Sequence, residues 1–129
     1  MTRDMDLIRH LLLKLEALEV PRGAAYFLTG DEAELAVDGS SEDQIFHHLV
    51  LLRDACFILG PGKHGTNEVP FTRLSWAGYN FLDSVRDPEI WDRTKKGALA
   101  AGGFTVELLS DLAKGFIKKQ IEDRTGVKL

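Results

Sequence analysis

The sequence predicts an α+β fold that is mostly helical, with a winged helix-turn-helix-like core, a short β-hairpin wing and C-terminal helices. Residues 41–56 repeat apolar side chains with the period of a helix, and residues 57–59 continue as a short apolar strand. A glycine-rich turn at residues 60–67 connects that strand to a second one at residues 69–74. A helix followed by such a hairpin is the order of a reading helix and its wing.

The central helix has clear signals at its start and along one side. Ser40 or Ser41 can cap it, and acidic residues follow in the first turn, where the helix dipole favours negative charge. The apolar side chains at i, i+4, i+7 and i+11 are Ile45, Leu49, Leu52 and Cys56. Because Cys56 is the single cysteine and lies on this stripe, we expect a buried, unreactive thiol.

The segment before the central helix predicts one helix and one strand. Asp4 caps a helix that runs to about Glu19, and Arg9 should lie in water with Lys14 and Glu16. The predicted buried stripe consists of Ile8, Leu11, Leu15 and Leu18, widened by Leu7 and Leu12.

Between residues 20 and 40 no amphipathic helix is evident. Residues 34–38 alternate as a strand would, after an insertion-like segment at residues 24–30. The helix that normally precedes a reading helix is therefore degenerate or missing.

The residues after the hairpin predict helices that each begin at a recognisable cap. Ser75 caps a helix that carries Trp76, and Asp87 followed by Pro88 starts the next. Thr105 caps a last helix that reaches about residue 121, after which the chain should fray.

Length and composition fit one globular domain. The chain has 129 residues, of which 44% are hydrophobic and 28% charged, enough to bury a core without disulfides or metals. We assign residues 1–86 to the winged-helix core and residues 87–129 to a C-terminal helical extension packed on it. No stretch reaches the length of a membrane span and the first residues lack a signal-peptide core, so we expect a cytoplasmic protein.

The charge is unevenly distributed along the chain. Residues 1–60 carry five lysines or arginines against eleven acids, while residues 61–129 carry eleven against nine, within a net charge of −4. The predicted reading helix thus lies in the acidic half. Since lysine and arginine supply most non-specific affinity for DNA, this distribution counts against a strong DNA binder.

The glycine-rich turn does not fit a phosphate-binding P-loop. Gly62 and Lys63 match the end of that motif, but the next residue is His64, where the motif requires Ser or Thr. The residue five positions before Gly62 is Phe57, where the motif has glycine. A flexible turn is the better interpretation.

Three separated stretches are distinctive: residues 3–9, residues 45–52 and residues 74–83, the last followed by Arg86, Asp87 and Trp91. They resemble a family of small proteins encoded by phages, prophages and their bacterial hosts, which carries a domain-of-unknown-function label. The resemblance covers nearly the whole chain. It implies a winged-helix fold and no assigned activity.

Residues 45–59 also resemble the reading helix and following strand of bacterial winged-helix repressors. In those repressors the reading positions usually carry polar or basic residues. Here they are Asp43, Phe46 and Val50.

If the chain binds double-stranded DNA, its candidate contacts lie on the central helix and the wing, namely Gln44, His47, His48, Lys63, His64 and Arg73. Gln44 could pair with adenine, and a solvent-facing glutamine is the alternative. His47 and His48 point about 100° apart on a helix, so they cannot form an i, i+4 metal site. They are either a surface or partly packed pair or, at His47, a contact to phosphate or a base edge. The three wing residues either touch phosphate or form a solvated hairpin.

A second set of candidates is apolar. Phe46, Val50 and Leu51 lie off the main stripe, so either the C-terminal helices or another protein should cover them. A homodimer through residues 105–121 is a further hypothesis.

Nothing in the sequence provides the spaced carboxylates, cysteines or histidines that catalysis or metal binding requires. We therefore expect no enzyme, no metal and no cofactor. The expected function is a winged-helix DNA-binding regulator of phage or prophage type. The alternative is a non-enzymatic accessory protein that binds a host or phage protein.

Overall fold

The chain is an α+β protein with more helix than strand. The computed structural model describes residues 1–63 and 65–129. In these residues the elements are α1 (Met5–Ala17), β1 (Tyr26–Leu28), a 3₁₀ turn (Ala33–Leu35), α2 (Glu42–Asp54), β2 (Ile58–Leu59), β3 (Val69–Phe71), β4 (Arg73–Leu74), α3 (Trp76–Val85), α4 (Pro88–Ala101) and α5 (Val106–Thr125). They form two compact units, residues 1–79 and 80–129, whose boundary lies within α3.

Helix α1 begins at the predicted cap, because the Asp4 carboxylate accepts hydrogen bonds from the backbone N–H groups of Asp6 and Leu7. Leu11, Leu12 and Leu15 are fully buried. The prediction that Arg9 lies in water is wrong, since only 7% of its surface is exposed. Arg9 shares a face with the buried residues one turn away on either side, and a long aliphatic stem can follow apolar surface there.

The strand predicted at residues 34–38 is absent, and the 3₁₀ turn Ala33–Leu35 takes its place with Leu35 fully buried. The strand lies earlier, at β1, within the segment interpreted as an insertion. A tight turn precedes it, in which the Ala24 N–H donates to the Pro21 carbonyl and Gly23 has φ +82°. No full helix forms between α1 and α2 in the described chain, as predicted.

The strands pair antiparallel in two short ladders. Tyr26, Phe27 and Leu28 of β1 oppose Phe71, Pro70 and Val69 of β3, while Ile58 and Leu59 of β2 oppose Leu74 and Arg73 of β4. The stretch predicted as one strand is therefore two segments separated by Thr72, whose N–H donates to the Leu59 carbonyl at 2.7 Å. One end of residues 69–74 pairs with β1 and the other with β2. The predicted hairpin is present as the β2–β4 pair, and β1 pairs with β3 in a separate two-stranded sheet.

Helix α2 begins with a capping box, in which the Ser41 and Gln44 side chains each accept a hydrogen bond from the other residue's backbone N–H. Ile45, Leu49 and Leu52 are buried as predicted. The helix ends at Asp54, earlier than expected.

The predicted burial of Cys56 is wrong, because its thiol is exposed. Cys56 has φ +59°, its N–H donates to the Arg53 carbonyl, and the Phe57 N–H donates to the Leu52 carbonyl. This is the Schellman arrangement that terminates helices, usually with glycine at the left-handed position. The chain therefore leaves the helical path before Cys56 can continue the stripe.

The second unit contains α4 and α5, which pack on each other. Asp87 and Thr105 cap these helices as predicted. Gly97 faces α5, and an added Cβ there would make an ordinary van der Waals contact with the Leu112 side chain at 3.4 Å. Helix α5 runs to Thr125, past the predicted end.

On the exposed side of α4, the Lys96 ammonium lies 2.9 Å from the Asp92 carboxylate. Its hydrogen bond and positive charge lower the pKa of Asp92 from its usual value. In the described residues, no helix has the length and apolar character to cross a bilayer.

Candidate interaction surface

The first turn of α2 is the position at which a reading helix would meet DNA. Glu42, Asp43 and Gln44 are all exposed there. The Gln44 side-chain oxygen accepts a hydrogen bond from the Ser41 N–H at 2.8 Å. Pairing with adenine uses both the oxygen and the nitrogen of an amide, so Gln44 would have to give up its half of the capping box.

His48 is not a surface contact. Only 2% of it is exposed, its Nδ1 lies 2.7 Å from the Gln44 carbonyl and its Nε2 accepts the Asp4 N–H at 2.8 Å. These partners indicate a neutral ring with the proton on Nδ1. The proposal of His48 as a DNA contact is therefore wrong, because both ring nitrogens bind backbone and join α2 to the start of α1.

His47 is half-buried, and its ring meets that of His48 edge to face with centroids 5.5 Å apart. Lys63 and Arg73 are exposed on the hairpin, where an Arg73 Nη1 donates to the Leu74 carbonyl at 3.3 Å. His64 lies outside the described residues.

Arg53 helps to hold the loop of the hairpin, a role that the sequence analysis did not predict. Its Nη2 donates to the Gly62 carbonyl at 2.8 Å, which joins the last turn of α2 to the loop of the hairpin. The Arg53 Nη1 is buried without an acceptor among the described residues. The sequence signal for this role was a basic residue in the last turn of α2, close before the glycine-rich loop.

The apolar candidates Phe46, Val50 and Leu51 are each half-buried. Part of the cover over Phe46 comes from the turn at Gly30, where an added Cβ would lie 3.0 Å from the Phe46 Cβ. Gly30 has φ +93° and its Cα approaches the start of α2 closely. This local turn is a third source of cover, besides the two that the sequence suggested.

Larger apolar exposure occurs elsewhere in residues 1–79. Trp76 is 81% exposed and Tyr79 is 38% exposed, three residues apart on α3 and so on one side of it. On β1, Phe27 is 53% exposed and Tyr26 43% exposed. The sequence identified Trp76 as distinctive and did not predict its exposure.

The first turn of α3 is held firmly beneath this tryptophan. The Ser75 N–H donates to the Phe57 carbonyl, the Ser75 hydroxyl donates to the Cys56 carbonyl, and that hydroxyl accepts the Gly78 N–H at 3.0 Å. An added Cβ at Gly78 would lie 2.1 Å from the Phe57 carbonyl oxygen. The end of α2 therefore fixes the position from which Trp76 projects.

In the described part of the chain, no group of three or more histidines, cysteines or carboxylates is placed to hold a metal ion. The exposed side chains of residues 1–79 include aromatic rings, an acidic helix start and separated basic side chains.

Comparison with known proteins places this chain among relatives. Residues 2–104 match the family described as "Hypothetical protein (DUF2513)". The chain belongs to the DUF2513 family. The match covers α1 to α4 and stops before α5, so the exposed aromatic residues and the hairpin lie within the part shared with DUF2513.

The chain is also similar to a protein of Haemophilus influenzae (strain ATCC 51907 / DSM 11121 / KW20 / Rd). This protein, named "Uncharacterized protein", is 32% identical over 97 residues, which are 74% of this chain and 76% of the relative. No solved structure matches the chain significantly.

Proposed function

We propose that this DUF2513 protein is a winged-helix-like, non-enzymatic module that binds another protein, encoded by a phage or its host. The observation that carries the proposal is the exposure of Trp76, at 81%, on a helix start held by three hydrogen bonds. Tryptophan is enriched among the residues that contribute most of the binding energy at protein interfaces. A side chain on a rigid backbone also loses less entropy on binding.

The winged-helix part of the proposal rests on the order of the elements. A helix, a strand, a short 3₁₀ turn, a second helix and a hairpin follow one another, and β1 pairs with the returning arm of the hairpin. The 3₁₀ turn stands where a winged-helix domain has its middle helix. A fold alone does not assign a function, so the choice between protein binding and DNA binding depends on the exposed side chains.

The surface of α2 supports protein binding over DNA reading. Its first turn carries Glu42 and Asp43, which would repel phosphate. Gln44 serves the helix cap, and His48 is buried against the backbone of residue 4. Among the candidate reading positions, Asp43 is negative, while Gln44 and His48 are already hydrogen-bonded to the backbone.

Site-specific photo-crosslinking tests the proposal. A photoreactive phenylalanine analogue at position 76 should crosslink a discrete partner in phage-infected cells, whereas the same analogue at position 99 should not. Leu99 is the matched control, because it is also an exposed apolar residue on a helix, at 65%. Equal crosslinking at both positions, or none at position 76, would contradict the proposal.

DNA binding through the hairpin is a second candidate, favoured by the exposure of Lys63 and Arg73. In this case affinity for duplex DNA should fall steeply with salt and weaken in the variant with both Lys63→Ala and Arg73→Ala. Absence of any DNA shift at low salt would remove this candidate.

Dimerisation through residues 105–121 stays a prediction. Light scattering tests it, because a monomer has a mass of 14.4 kDa.

A further inference from the structure

Residues 20–25 and the hairpin enclose an open groove of about 480 Å³ within the first unit. Its lining consists of Val20, Pro21, Arg22, Gly23, Ala24, Ala25, Pro61, Thr72 and Arg73. Most of these side chains are apolar and short. The groove lies in the segment that connects α1 to β1, away from the first turn of α2 in sequence.

The charged side chains in this lining are both arginines. Arg22 and Arg73 come from different segments, and neither forms an ion pair with a described residue. Both guanidinium groups therefore add positive charge to the lining of one groove, which attracts an anion. The whole chain has a net charge of −4, so two arginines without a carboxylate partner among the described residues are a specific feature of this surface.

The backbone beneath both arginines is fixed. Arg22 occupies the tight turn closed by the Ala24 N–H and the Pro21 carbonyl at 3.0 Å. Arg73 lies on β4 opposite Leu59, next to Thr72, whose N–H and hydroxyl both donate to the Leu59 carbonyl. The two guanidinium groups therefore project from rigid supports.

We infer that this groove binds an acidic, extended segment of the partner protein, an inference that rests on the proposed protein-binding function. Guanidinium groups bind carboxylates through paired hydrogen bonds, and the alanine and proline lining suits the aliphatic side chains between them. A nucleic-acid backbone would use the arginines but leave that apolar lining without a role.

Fluorescence anisotropy with the full chain tests the inference directly. The probe is a labelled peptide of alternating glutamate and leucine, measured at low salt beside a peptide of alternating lysine and leucine. The acidic peptide should bind and the basic one should not. Arg22→Ala and Arg73→Ala should each weaken binding about tenfold, the loss expected for one charged hydrogen-bond partner. Lys63→Ala is the matched control, because Lys63 is an exposed cation on the hairpin outside the groove lining.

Three outcomes would overturn the inference. They are no binding of the acidic peptide, an equal loss in the Lys63→Ala variant, and displacement of the peptide by duplex DNA or inorganic phosphate at lower concentration. The crosslinking experiment at position 76 is independent of both arginines. A negative peptide result with positive crosslinking would therefore reject the groove and leave the proposed function in place.

Discussion

The Asp4 N–H donates a hydrogen bond to the Nε2 of His48, 44 residues later in the chain, at 2.8 Å. Asp4 is also the cap of α1, and the His48 Nδ1 binds the Gln44 carbonyl within α2. One imidazole therefore joins the start of α1 to the first turns of α2. A residue that the sequence suggested as a DNA contact contributes to the fold.

His48→Ala should lower the free energy of unfolding by about 2 to 3 kcal/mol, since it removes a buried ring and leaves the Asp4 N–H without its partner. His47→Ala is the control, because His47 is only half-buried and should cost less than about 1 kcal/mol. Urea unfolding measures both. Equal losses in the two variants would mean that the bonds from His48 to the backbone contribute nothing to stability.

Gly78→Ala should be among the most damaging small substitutions in the chain. The added Cβ would lie 2.1 Å from the Phe57 carbonyl oxygen, so α3 must move away from the end of α2, at a cost of about 3 kcal/mol. Gly115→Ala on α5 is the matched control. It has nothing within 4 Å of the added Cβ and should gain about 1 kcal/mol from helix propensity. Thermal unfolding of both variants measures this difference, and a stable Gly78→Ala protein would contradict the close approach.

Local signals in the sequence predicted most helix starts. The features that were not predicted depend on contacts between residues that are distant in the sequence. Ser41 and Gln44 lie three residues apart, so the start of α2 follows from the sequence alone. The strand β1 has three residues, and its pairing partner β3 lies after α2, so no local period indicated it. His48 belongs to the same class, because its decisive partner is 44 residues away. The DNA contact suggested at His48 was misjudged for this reason, whereas the contacts suggested at Lys63 and Arg73 stay predictions.

Cys56→Gly should stabilise the protein by about 0.5 to 1 kcal/mol. Cys56 has φ +59°, which strains a residue with a Cβ, and glycine removes that strain. Glycine also adds conformational entropy to the unfolded chain, but this cost is smaller than the strain that is relieved. Ala55→Gly is the control, because Ala55 has φ −75° and should gain nothing. Chemical unfolding under reducing conditions measures both. A loss of stability in Cys56→Gly would show that the thiol makes a compensating contact.

Arg53→Ala should loosen the hairpin loop while the core stays folded. The Arg53 side chain donates a hydrogen bond to the Gly62 carbonyl at 2.8 Å, and this bond connects α2 to the loop. Lys63, the next residue, is exposed, so trypsin should cut after it several-fold faster in the variant, because cleavage requires local opening of the backbone. Arg93→Ala is the control, since Arg93 is bound to Glu89 on the surface of α4 and should leave this cleavage rate unchanged. An unchanged rate in Arg53→Ala would mean that the strand pairing alone holds the loop.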